Sequence, residues 1–77
     1  MITGAQIRAG RLLLQWSSSA LAQRAKVNLA TIKRSEATDG EPMVTMGQAI
    51  SIRYTLERAG VIFVEENGAG PGVRLKK

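Results

Sequence analysis

Two helical segments separated by a very short join constrain this chain more than any other feature. They lie in SSSALAQRAKVNLATIKRSE, Ser17 to Glu36. Ser17 is a strong N-cap residue type, and the pattern behind it predicts a helix over Ser18–Ala25 with Leu21, Ala22 and Ala25 facing inward. Asn28 is a second N-cap type, ahead of a helix from Leu29 to about Ala37 with Ile32 inward. Only Lys26 and Val27 stand between Ala25 and Asn28, so the two helices meet at a tight turn.

The flanks read as more helix, then strand. Thr3 and Gln6 have capping-box spacing, which starts a first helix whose apolar face uses Ile7, Leu13 and Leu14 through Trp16. Gly10 leaves room there for a close neighbour, and Arg8 and Arg11 are near neighbours on the same helix. Thr38-Asp39-Gly40-Glu41-Pro42 is turn chemistry. A fourth helix is expected from about Thr45 to Ala59, with Met46, Ala49, Ile50 and Leu56 as its apolar stripe. Gly60 is a natural stop. Val61 to Val64 is a β-branched and aromatic run that suits a strand, the stretch 66–72 is turn-rich, and Val73 and Leu75 alternate with Arg74 and Lys76. The expected fold is mainly α, a single domain over residues 1–77: four helices over 3–59 and a C-terminal β-hairpin over 60–77.

Composition narrows the function. The longest apolar run, Val61 to Val64, is far below the ~18 residues of a membrane span, and no signal-peptide pattern opens the chain. The absence of cysteine fits a reducing cytoplasm. With neither Cys nor His there is no zinc set and no common nucleophile–base pair, so neither an enzyme nor a metal or other cofactor is expected. The net charge is +5, and residues 1–34 carry Arg8, Arg11, Arg24, Lys26, Lys33 and Arg34 with no acid among them. All six acids, Glu36, Asp39, Glu41, Glu57, Glu65 and Glu66, come later. An acid-free basic half attracts polyanions, phosphate backbones above all.

The order helix, tight turn, helix, flanked by a helix on each side, is that of helix-turn-helix DNA-binding domains. IRAGRLLLQWSSSALAQRAKVNLATIKRSE resembles the Cro/phage-repressor (XRE) family of helix-turn-helix regulators, at Ile7-Arg8, Arg11, Trp16-Ser17, Leu21-Ala22, Ala25, Val27, Thr31-Ile32, Arg34 and Glu36. The resemblance is close over residues 3–37 and looser through the fourth helix. It implies that Leu21, Ala22, Ala25, Val27 and Ile32 wedge the two helices at their crossing angle. It also implies an Arg11–Glu36 pair bridging the first helix to the end of a recognition helix, residues 29–37. DNA contacts are implied at Ser17 and Ser18, at the start of the second helix, and at Asn28, Leu29, Ala30, Lys33 and Arg34 on the third. Arg34 has the chemistry to read guanine, Lys33 suits a phosphate, and Asn28 is read first as a cap.

Three departures stand out. Lys26 and Gln15 occupy places where relatives often carry glycine, although Lys26 brings a charge that can reach phosphate. Leu29 and Ala30 cannot hydrogen-bond a base edge, though they can touch a thymine methyl. Two functions follow: a sequence-specific double-stranded DNA-binding transcriptional regulator, a repressor or autoregulator, or a protein-binding module on the same scaffold, such as an antiactivator or antitoxin subunit. Readers of this type act as dimers. Val61, Ile62, Phe63 and Val64 form an apolar strand that can either pair with a second subunit or cover its own domain.

Overall fold

Four N-cap residues open the four helices of the computed structural model, which describes residues 2–64 and 72–76. Thr3 starts α1 (Gly4–Leu13): its hydroxyl accepts from the Gln6 N–H at 3.1 Å while Gln6 Oε1 accepts from the Thr3 N–H at 2.9 Å. Ser17 starts α2 (Ser18–Ala25), its hydroxyl accepting from the Ala20 N–H at 3.0 Å. Thr45 repeats the full capping box with Gln48 at the head of α4 (Met46–Arg58). Asn28 occupies the N-cap of α3 (Leu29–Glu36) with extended backbone, but its side chain makes no capping hydrogen bond. The cap reading of Asn28 therefore holds for its position and not for its amide.

The helix ends depend on backbone geometry. After α1 the chain turns through Gln15 at φ 58°, and after α2 through Lys26 at φ 60°. Both are left-handed conformations that cost a side-chain-bearing residue about 1 kcal/mol relative to glycine. The Lys26 N–H closes α2 onto the Ala22 and Gln23 carbonyls, and the Val27 N–H reaches the Ala22 carbonyl at 3.0 Å. Gly60, at φ 109°, turns α4 into the first strand.

Ile2, Ile7, Leu21, Ala22, Ala25, Ile32, Ile52, Leu56 and Val61 form one buried cluster, with Leu14, Trp16, Val27, Phe63 and Val73 packed around it. Two inward faces differ from the sequence expectation. On α4 the buried residues are Ala49, Ile52 and Leu56, while Met46 and Ile50 are exposed. Positions 49, 52 and 56 satisfy the helical period as well as 46, 49 and 50 do. Two apolar stripes coexist on this helix, and packing against α1, α2 and β1 selects the first. On α1 the buried face is Gly4, Gln6, Ile7 and Gly10, while Leu13 is 40% exposed.

The hairpin is the layer that closes the core. β1 (Val61–Val64) pairs antiparallel with β2 (Gly72–Leu75), Val61 opposite Leu75 and Val64 opposite Gly72. Residues 66–71 of the expected turn lie outside the described residues. Val61 Cγ1 lies 3.3 Å from where a Cβ on Gly10 would be, so the missing side chain sets how closely strand and helix approach. Buried Gln6 ties the two layers together: its Nε2 donates to the Val64 carbonyl at 3.2 Å and to the Gly72 carbonyl at 3.0 Å. Gly4 donates its N–H to the Gly40 carbonyl at 2.7 Å, and a Cβ there would collide with the Thr38 and Ser35 carbonyls. No described helix is long and apolar enough to cross a membrane.

Candidate nucleic-acid interface

The two faces of α3 separate cleanly. Thr31, Ile32 and Ser35 are buried, and the Ser35 hydroxyl is satisfied by the Ile32 carbonyl at 2.7 Å. Leu29, Ala30, Lys33, Arg34 and Ala37 are exposed, with Asn28 beside them at the N-terminal end. Spacings of three and four residues make these a continuous outward strip. Its order along the helix is amide, two apolar residues, then two cations. Leu29 is 38% exposed. That places an apolar edge in water that the core does not claim.

The cations of this strip are without the carboxylate partners that hold three others. Arg8 is held by Asp39 at 2.6 Å, Arg11 by Glu36, and Arg53 by Glu57 at 3.0 Å. Among the described residues, Lys33 and Arg34 meet no carboxylate, and neither do Arg24 and Lys26 on the α2 side. Unpaired exposed cations keep their field available to an anion. Arg34 borders an open groove of about 650 Å3 whose far wall is the Glu41–Thr45 segment and Gln48. Lys33 does not line that groove, so the two neighbouring cations present themselves differently.

Ser17 and Ser18 sit at the start of α2, where they were expected to meet a phosphate. The Ser17 oxygen is engaged by Ala20, which leaves its O–H to donate outward. The N–H groups of Ser18 and Ser19 have no protein acceptor among the described hydrogen bonds, as a helix start requires if it is to hold an anion. Lys26 projects from the left-handed turn and is exposed.

The end of α3 is clamped to α1. Arg11 donates from Nε to Glu36 Oε2 at 2.8 Å and from Nη2 to Glu36 Oε1 at 2.9 Å, and its Nη1 reaches the Trp16 carbonyl at 2.9 Å. Donation to the Glu36 carboxylate is the main cause of a raised Arg11 pKa, which burial opposes. Arg8 adds a bond from Nη1 to the Glu36 carbonyl at 2.6 Å, a cation placed at a helix C-terminus. These contacts fix the pitch of α3 relative to the rest of the domain.

Several contributors have no sequence signal. Arg24 lies over the Trp16 ring at 4.5 Å, a cation–π contact between α2 and the turn before it. The Ser51 hydroxyl donates to the Ala25 carbonyl at 2.8 Å, attaching α4 to the end of α2. Neither partner of either pair stands at a spacing that a periodicity argument would notice. Among the described residues no three His, Cys, Asp or Glu side chains gather. Val61 is only 2% exposed, while Ile62, Phe63 and Val64 are each partly buried and keep some surface, Phe63 packing on the core. Neither a known protein-family model nor a curated protein matches the chain.

Proposed function

We propose that the chain is a sequence-specific double-stranded DNA-binding regulator of the helix-turn-helix type, a cytoplasmic repressor or autoregulator with α3 as its recognition helix. The observation that carries this reading is the outward strip of α3, where Asn28, Lys33 and Arg34 are exposed with no carboxylate on either cation among the described residues. A duplex offers complements to each part of it. Arg34 suits guanine O6 and N7, Lys33 a phosphate, and Leu29 with Ala30 the methyl of thymine. The uncapped Asn28 amide is free to bond a base edge or a backbone oxygen. The open N–H groups at the α2 start suit a second phosphate.

Titrating the purified protein against the DNA upstream of its own gene, at two salt concentrations, tests the reading. Expected is saturable binding that outcompetes unrelated duplex and weakens as salt rises, each neutralised phosphate contributing about −0.9 to the slope of log affinity on log salt. Binding equal on all duplexes, or none, sinks it.

One observation favours a second reading. The exposed Leu29–Ala30 pair gives the strip an apolar centre suited to a protein surface, as in an antiactivator or antitoxin subunit. Under that reading Leu29→Asp abolishes capture of the partner, while Lys33→Ala leaves any duplex binding unchanged.

A further inference from the structure

We propose that the outer face of α4 is a homodimer interface, in which α4 of one protomer lies antiparallel on α4 of its partner around Ile50. This goes beyond the DNA-binding reading and does not depend on it, because none of the outward α3 residues belongs to the α4 stripe.

Met46, Ile50 and Tyr54 stand four residues apart, 67%, 62% and 58% exposed. On a helix this spacing makes one continuous ridge. Together the three leave roughly 400 Å2 uncovered, the size of the largest, often functional, patch on an ordinary monomer. Met43, 70% exposed, extends it just ahead of the helix. With Glu41 and Arg58 at the ends, each protomer offers roughly 600 Å2, enough for a pair to pass the ~1,000 Å2 that a specific interface needs.

Symmetry and charge identify the occupant as a second copy. The ridge is balanced about Ile50: four residues back is Met46, four forward is Tyr54, and eight forward is Arg58. A two-fold axis there stacks Ile50 on the partner's Ile50 and sets Met46 against the partner's Tyr54, a favourable thioether–ring contact. Eight residues back, the chain reaches Pro42 and its neighbour Glu41, which lines the same small cavity as Met46. Glu41 and Arg58 are both exposed, and neither has an ion-pair partner among the described residues. Arg58 lies over the Tyr54 ring at 5.6 Å, with Nη1 at 3.4 Å from the Tyr54 hydroxyl, which lays it along the ridge. Antiparallel pairing brings Arg58 of each protomer within reach of the partner's Glu41, and unlike charges meet twice.

Sedimentation equilibrium over a wide concentration range tests this on the full chain. The wild type is expected to show a reversible monomer–dimer equilibrium, and Ile50→Glu to weaken it about thirtyfold or more. Ile62→Glu, on the strand, is expected to leave the equilibrium in place. Arg58→Glu and Glu41→Arg should each weaken association, and the double variant should restore it. If Ile50→Glu melts early, the charge-exchange pair decides alone, since both of its positions are exposed. A wild type monomeric at millimolar concentration overturns the proposal. So does a dimer lost with Ile62→Glu but kept with Ile50→Glu, or a double variant no better than its singles.

Discussion

The Arg11 guanidinium and the Glu36 carboxylate meet in two parallel hydrogen bonds of 2.8 and 2.9 Å, with both side chains largely shielded from water. The pair joins the last turn of α1 to the last turn of α3. It is therefore the contact most directly responsible for the angle at which α3 presents its outward strip. Truncating one partner leaves the other charge shielded and unpaired. Glu36→Ala is expected to lower stability by about 2–3 kcal/mol. For a domain this small, thermal melts should fall by about 10–20 °C. A double-mutant cycle with Arg11→Ala should return a coupling above about 1 kcal/mol. Additive losses would mean that the two side chains act separately.

The left-handed residues Gln15 and Lys26 predict stabilising substitutions. Gln15→Gly and Lys26→Gly should each raise stability by about 0.5–1 kcal/mol, because glycine adopts φ near 60° without the Cβ penalty. Lys26→Gly also removes a cation, so its duplex affinity should drop at low salt while its melting temperature rises. A lower melting temperature for Gln15→Gly would show that the unfolded-state entropy of glycine outweighs relieved strain.

Gly4 predicts the opposite. A methyl group there meets the Ser35 and Thr38 carbonyls, which are main-chain atoms and cannot swing aside. Gly4→Ala is expected to cost about 3 kcal/mol through overpacking and loss of the close approach between α1 and the end of α3. Chemical denaturation of the variant, with the slope unchanged and the midpoint lowered, would report it.

Gln6 predicts a local effect. Gln6→Leu keeps the bulk of the side chain but removes the donor shared by the Val64 and Gly72 carbonyls. Amide hydrogen exchange should accelerate across β1 and β2 more than in α2 and α3. Uniform acceleration would mean that the hairpin and helices open as one unit.

On α3, Arg34→Ala and Lys33→Ala should differ if the strip meets DNA. The first is expected to weaken binding to the preferred duplex by about 1–3 kcal/mol and relax one base preference. The second should weaken all duplexes alike and reduce the salt slope by about one. Quantitative band-shift titrations over a salt series separate the two. Identical salt-insensitive behaviour would point to a protein partner.

Much of the architecture was legible in residue order, because it is written in local chemistry. Thr3 and Ser17 accept from N–H groups only three residues on, so the α1 and α2 starts follow from neighbouring residue types. Gly60 and the run Val61–Val64 carry the switch from helix to strand in their own backbone preferences. The inward set Leu21, Ala22, Ala25 and Ile32 follows from helical period alone. What the order of residues could not choose was which of two equally periodic stripes on α4 faces inward. Only α1, α2 and β1, packed against that helix, chose Ile52 over Ile50. The same holds for the freedom of Lys33 and Arg34. Which cations keep their charge open depends on which carboxylates fold beside them, and Arg8, Arg11 and Arg53 were the ones so placed. Period and capping act over three or four residues and are visible in a string. The Arg53–Glu57 pair is of that local kind, four residues apart, but the pairing of Arg8 and Arg11 depends on segments twenty-five or more residues apart meeting in space, and that only the folded chain decides.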